Sequence, residues 1–153
     1  MGKAGEQKAL IGYCGLYCGD CPGYQGTIAD LARDLRQELR RARYDKLAAA
    51  LAQIPFFSAF QDYRTCCNVL GALAKTRCKR ACRNGGGDPG CKVRACARKK
   101  GYEGCWECAA FGTCGKGDFL QPYHGQACAR NVRRIRRAGT AAFVKGQRHW
   151  TCR

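Results

Sequence analysis

Residues 78–114 read C-K-R-A-C-R-N-G-G-G-D-P-G-C-K-V-R-A-C-A-R-K-K-G-Y-E-G-C-W-E-C-A-A-F-G-T-C. Cys78, Cys82, Cys91, Cys96, Cys105, Cys108 and Cys114 punctuate a segment otherwise made of glycines, cations and small residues. No run inside it carries the apolar period of a self-sufficient helix or strand. Its sulfurs must therefore be cross-linked, by disulfides or by metal.

Composition points to metal. Leu, Ile, Val and Phe make up 24 of 153 residues, or 16%, below the roughly 20% under which a highly charged chain is expected to be disordered. So small an apolar content does not offset the entropy of ordering the chain. A structural zinc site contributes about 10–16 kcal/mol of folding free energy and closes that gap. The expected fold is mainly α: a small metal-stabilised cysteine-rich domain with helices packed around irregular ligand loops. Residues 1–12 read as a loose leader and 13–153 as one domain. The N-terminus lacks a secretory pattern, Glu6 breaks a myristoylation signal, and no run of 18 apolar residues can span a membrane. The expected compartment is the cytoplasm, where thiols stay reduced and clustered cysteines favour metal.

A second cysteine group precedes the central block. Cys14, Cys18 and Cys21 lie in C-G-L-Y-C-G-D-C-P, whose glycines and proline suit a tight ligand loop. C-x3-C-x2-C also occurs in radical S-adenosylmethionine enzymes. Those need a repeated strand–helix barrel, and this chain has no β-branched strand runs to build one.

Helices are expected between and after these groups. Thr27 starts one, with Asp30 in a weak capping pattern and Ile28, Leu31, Leu35, Leu39 and Ala42 as its apolar stripe. A continuation through Leu47, Ala50, Leu51 and Ile54 is stopped by Pro55. Phe56, Phe57 and Phe60 read as an aromatic core cluster. Asp62 caps a third helix, on which Cys66 and Cys67 share a face with Leu70 and Leu73 and read as buried thiols. Lys92–Lys100 forms a short helix ended by Gly101, and Trp106 is expected to cover the metal site. From Gln126 to Ala138 the pattern is helical, with Cys128, Val132 and Ile135 on one side. Arg130, Arg133, Arg134 and Arg137 lie on the other. Phe143 and Trp150 should dock the tail onto the body.

The net charge of +17 falls to roughly +13 if two four-cysteine sites each carry about −2. That excess favours a polyanionic partner, such as a nucleic acid, met through Arg130, Arg133, Arg134 and Arg137. A plain solvated face is the alternative, since no recognised nucleic-acid motif accompanies the ridge.

Together C-G-L-Y-C-G-D-C, C-R-N-G-G-G, C-K-V-R-A-C-A-R-K-K-G-Y-E-G-C-W-E-C and the following F-x-x-C resemble a cysteine-rich bacterial and archaeal family of unknown function (number 3795). The likeness runs from about Gly12 to Trp150. It implies metal binding without an assigned activity. It implicates Cys14, Cys18, Cys21, Cys82, Cys91, Cys96, Cys105, Cys108 and Cys114. Cys78 departs from the pattern: three residues separate it from the next cysteine where the family has two. Cys66, Cys67, Cys128 and Cys152 have no counterpart.

Ten candidate ligands thus emerge: those nine and Cys78. The spacings 18/21, 78/82, 91/96 and 105/108 suit zinc, and the sulfurs suffice for two ions. Iron–sulfur clusters use the same ligand type and remain the alternative. The expected function is a structural zinc protein presenting a basic helical surface, with an iron–sulfur redox or sensor protein second. A metal-dependent enzyme is third. For it Asp20, Glu107, His124 and His149 are the available acids and bases, none in a recognised catalytic constellation. His124, in P-Y-H-G, reads as a turn hydrogen bonder. No catalytic residue is assigned.

Overall fold

A computed structural model describes residues 3–150. It is mainly helical, 71% helix, with no strand among the described residues. Its α-helices are α1 (Lys3–Ala9), α2 (Pro22–Gln25), α3 (Thr27–Arg41), α4 (Tyr44–Leu51), α5 (Tyr63–Lys75), α6 (Lys92–Lys99), α7 (Gln121–His124) and α8 (Ala127–Lys145). The intervening cysteine segments are short 3-10 turns and loops. The chain expected to form one domain over 13–153 divides into two compact units. One runs up to Tyr24 and resumes at Cys78; the other is Gln25–Arg77.

In the Gln25–Arg77 unit, the helix expected from Thr27 begins there, and α4 stops before Pro55, which opens a 3-10 run over Pro55–Asp62. Neither expected acidic cap uses its side chain to cap: Asp30 instead pairs with Arg33 and Arg77, and Asp62 occupies the N-cap position of α5 without a side-chain bond. The packing face of α3 is shifted by one residue from the expected stripe. Ala29 and Ala32 are buried, Arg36 lies over Gly71 of α5, and Leu31 is 65% exposed. A Cβ on Gly71 would come within 3.1 Å of the Arg36 guanidinium carbon. Small residues thus set a close α3–α5 approach that leaves no room for the leucines. The phenylalanine cluster forms, with Phe56 and Phe57 edge-on at 5.0 Å, but at the surface: Phe56 is 87% exposed. Cys66 is exposed too, contrary to the buried-thiol reading.

The other unit holds the apolar core. Ile11, Tyr17, Ile135, Phe143 and Val144 pack together, with Leu10 and Trp106 against them. Where a loose leader is expected, α1 forms and Ile11 is fully buried. The hairpin of Ile11 and Tyr17 carries it there, through an antiparallel bridge and the Gly12 N–H to Leu16 carbonyl bond of 2.7 Å. The expected helix from Gln126 to Ala138 is the first part of α8, which kinks at Gly139 (φ 76°) before Phe143 enters the core. Trp150 meets His124 edge-on at 4.8 Å, and buried Asn131 holds the tail by two bonds to the His149 backbone, 2.7 and 2.9 Å.

Candidate metal centre

Three short structures carry the cysteines, and arginines brace each of them. The N-terminal hairpin holds Cys14 in its turn. Gly15 (φ +86°) packs so closely on α8 that a Cβ there would lie 3.0 Å from Val132 Cγ2, which fixes the turn against that helix. A 3-10 turn, Cys18–Asp20, leads to Cys21. Arg148 clamps that turn with two bonds to the Asp20 carboxylate, 2.7 and 2.9 Å, and lies over the Tyr17 ring.

The glycine loop at 85–90 wraps around one cation. Arg94, only 7% exposed, donates to the carbonyls of Gly86 and Asp88 at 2.6 Å and to those of Cys82 and Pro89 at 3.3 Å. A buried guanidinium is tolerated only when its donors are satisfied, and here the loop carbonyls satisfy them. Gly86 is obligatory: a Cβ would lie 1.7 Å from the Arg80 carbonyl oxygen. The loop also surrounds Cys78, whose sulfur accepts from Gly87 N–H at 3.3 Å and donates to the Arg80 carbonyl at 3.0 Å. Cys91 caps α6, its sulfur accepting from Arg94 N–H at 3.4 Å. Cys18 sulfur accepts from Cys82 N–H at 3.4 Å.

The third structure is the turn of Cys105–Glu107 and the following cysteines. Cys105 N–H donates to the Tyr13 carbonyl of the hairpin at 2.8 Å. From α8, Arg136 donates to the carbonyls of Cys108 (2.5 Å), Trp106 (2.9 Å) and Cys105 (3.5 Å). Arg83 ties the same region to the hairpin through the Ile11 and Glu103 carbonyls at 2.7 and 2.6 Å.

The hairpin, α6, the cysteine turns from Cys105 to Cys114 and α8 line a cavity of about 310 Å³ that includes six cysteines: Cys14, Cys96, Cys105, Cys108, Cys114 and Cys128. Val93, Tyr102, Phe111 and Leu120 are among its apolar lining, and Lys116, Asp118 and Arg133 are its charged lining residues. Burial, and then the charges of Cys14, Cys108, Cys114 and Cys96, push the Cys105 thiol up to about 12. A hydrogen bond to Cys128, followed by burial, raises Cys14 well above the ordinary thiol value. The same contact with Cys14 lowers Cys128.

A second sulfur neighbourhood adjoins Cys14. Burial pushes Cys18 up to about 11, with smaller contributions from Cys82, Cys21 and Cys14. Cys82 is raised by burial, with Cys14 and Cys91 nearby. The spacing pairs 18/21 and 105/108 therefore stay together, while 91/96 splits. Five residues along a helix turn about 140°, so Cys91 caps α6 and Cys96 faces the cavity. As the side chains stand, no group of three or more His, Cys, Asp or Glu among the described residues is arranged to hold a metal ion.

Several expectations change. Cys128, unassigned from sequence, is a cavity residue; a lone cysteine on a helix offers no spacing signal, and only the placement of α8 reveals it. Trp106 packs on the core and is absent from the cavity wall. Of the candidate acids and bases, Asp20 is held by Arg148, Glu107 accepts from Glu103 N–H at 2.7 Å, and His124 Nδ1 lies 2.6 Å from the Trp150 carbonyl oxygen. On the cationic ridge, Arg130, Arg133 and Arg137 are exposed, whereas Arg134 is half-buried, with its Nε buried and unpartnered among the described residues. Cys152 lies outside the described residues. No helix among the described residues is long and apolar enough to cross a membrane.

No curated protein and no solved structure shows a significant match to the chain. The family model described as "Protein of unknown function (DUF3795)" matches residues 10–118, stopping short of the likeness through Trp150 expected from sequence. That stretch exceeds half of the chain and carries all ten candidate ligands, and on it this protein belongs to the DUF3795 family.

Proposed function

We propose that this protein binds metal through cysteine thiolates and that the metal completes its fold. One observation carries the reading: six cysteines from separate elements line a single cavity. Hairpin, central block and α8 each contribute, so a bound metal would cross-link parts of the chain that otherwise meet through a small apolar core. The amide donors at Cys18, Cys78 and Cys91 would offset charge when those sulfurs are thiolates. Zinc is the metal that ligand type and spacing favour.

Elemental analysis of the natively purified protein, with thermal unfolding before and after chelation, tests this. The expected result is at least one metal equivalent per chain and a large loss of stability on its removal. A metal-free protein whose unfolding is indifferent to chelator and to added metal overturns the reading.

A further inference from the structure

We infer that the surface beside the thiol-lined cavity binds single-stranded nucleic acid, with unpaired bases stacked on Phe119 and Tyr123 and phosphates held by Lys116, Arg130, Arg133 and Arg137. The inference stands apart from the metal-binding reading. It narrows the polyanion expected from net charge to a strand whose bases are accessible.

In the cysteine-bearing unit, the large apolar side chains left exposed among the described residues are Phe119, at 42%, and Tyr123, at 76%. Both stand in the short elements that border the cavity. Phe119 lies near the end of the 3-10 run Gly115–Leu120, between the cavity-lining Asp118 and Leu120. Tyr123 lies in α7, between the cavity-lining Gln121 and Gly125. The contacts of His124 with the Trp150 carbonyl and ring brace α7, so Tyr123 is presented from a fixed turn. Exposed rings held in this way suit flat partners, and every nucleic-acid base has a π-face to lay on them.

The cations stand alongside. Arg130, Arg133 and Arg137 follow one another at three and four residues, which puts them on one face of α8 ahead of its kink at Gly139, and all three are exposed. Arg133 lines the cavity together with Lys116, Leu120 and Gly125, so the ridge and the aromatic segment border the same cavity. None of these four cations forms an ion pair among the described residues. Asp118 is the one acid in the cavity lining, against Lys116 and Arg133 there, and the surface stays positive. Exposed cations without internal partners are the ones that can neutralise phosphates and release their counterions.

Aromatic rings and cations side by side select the single strand. A duplex hides the faces of its bases in its own stack and could use the cations alone. A single strand offers both groups, and a positive track for the backbone with aromatic platforms for the bases is how such strands are held without regard to sequence. Recognition of this kind draws on phosphates and base faces, which RNA and DNA share.

Fluorescence anisotropy of the full-length chain with a labelled oligothymidylate of about 15 nucleotides is the test, beside a duplex of equal length and heparin, a polyanion without bases. The single strand should bind more tightly than either, its log affinity falling against log salt with a slope of about −2.8 for four phosphate contacts. Tyr123→Ala and Phe119→Ala should each weaken that complex about 5- to 150-fold and leave the salt slope unchanged, because stacking is lost and charge is not. Lys116→Gln should instead reduce the slope by about 0.7. Oligouridylate of the same length should bind comparably, and binding of one sugar type without the other would overturn recognition through shared groups. Equal affinity for single strand, duplex and heparin would overturn the inference and leave a plain polyanion surface. Alanine variants that bind like the unmodified chain also overturn it, as does an absence of salt-dependent binding. The comparison of single strand with duplex uses the unmodified chain and decides the matter even where an alanine variant fails to fold.

Discussion

Loading metal into the metal-free protein at neutral pH should expel protons, and the number expelled can be worked from the thiols. Cys105 and Cys18 are pushed up to about 12 and about 11 from an ordinary 9.0, and Cys14 and Cys82 are raised as well. All four are protonated at pH 7. Each raised thiol that becomes a ligand releases one proton, so a centre using the two raised thiols that line the cavity, Cys14 and Cys105, has an apparent affinity that changes by at least about 10² per pH unit, or about 2.7 kcal/mol. Chelator competition across one pH unit measures the slope, and calorimetry in two buffers of different ionisation enthalpy counts the protons directly. A release below about one proton per bound centre would refute thiol ligation. The metal-free state supplies a control of opposite sign. Its folded thiols titrate above their unfolded value, so their stabilising contribution is fully present below about pH 9 and is lost as pH rises through 11 to 12. The loaded protein holds its ligands deprotonated and must instead lose stability on acidification, as the unfolded thiols take up protons. Identical pH profiles for the two states would contradict the assignment.

Arg94→Met should leave the four carbonyls that Arg94 holds without their donor and cost about 2–4 kcal/mol in denaturant unfolding, because one charged donor serves several part-buried acceptors; a change below about 0.5 kcal/mol would show the loop to be self-supporting. Gly86→Ala collides with the Arg80 carbonyl and the Cys78 sulfur, and should both destabilise the fold and disturb the environment of Cys78, read as faster alkylation of that thiol by mass spectrometry. Converting Arg130, Arg133 and Arg137 to glutamate tests the polyanion proposal. Three phosphate contacts give a salt slope of about −2.7 for duplex DNA, which the triple variant should abolish, and absence of salt-dependent binding by the unmodified protein ends that proposal.

Much of the helical layout was legible because local chemistry marks it. The Thr27 start, the stop before Pro55 and the α6 end near Gly101 all rest on residues whose backbone preferences act within a few positions. The packing faces were not legible in the same way. Nothing local distinguishes a stripe through Ile28, Leu31 and Leu35 from one through Ala29, Ala32 and Arg36. The choice is made by how closely α3 and α5 approach at Gly71. The same division runs through the cavity. The C-x-x-C of Cys105 and Cys108 announces itself, whereas Cys96 and Cys128 reach the cavity only through the orientation of α6 and α8. Arginine is silent in sequence for a similar reason: its guanidinium reads as surface charge until its carbonyl partners are known.

That silence bears on the net charge, which from sequence pointed outward to a polyanion. Arg83, Arg94, Arg98, Arg136 and Arg148 each donate to backbone carbonyls within the cysteine-bearing unit. Lysine could not do this work, since an ammonium lacks the planar, multi-donor fork that spans several carbonyls at once. These arginines supply polar tethers where the apolar core is small, and they gather positive charge around thiols whose ionisation burial opposes. A thiolate-bound centre in the cavity, as proposed, would add net negative charge to the unit that holds those cations. On the proposed metal-binding reading, part of the arginine excess would offset the charge of cysteine thiolates. The cations left for an external partner are fewer than composition suggests; of the four ridge arginines on α8, Arg130, Arg133 and Arg137 are exposed, and Arg133 also lines the cavity.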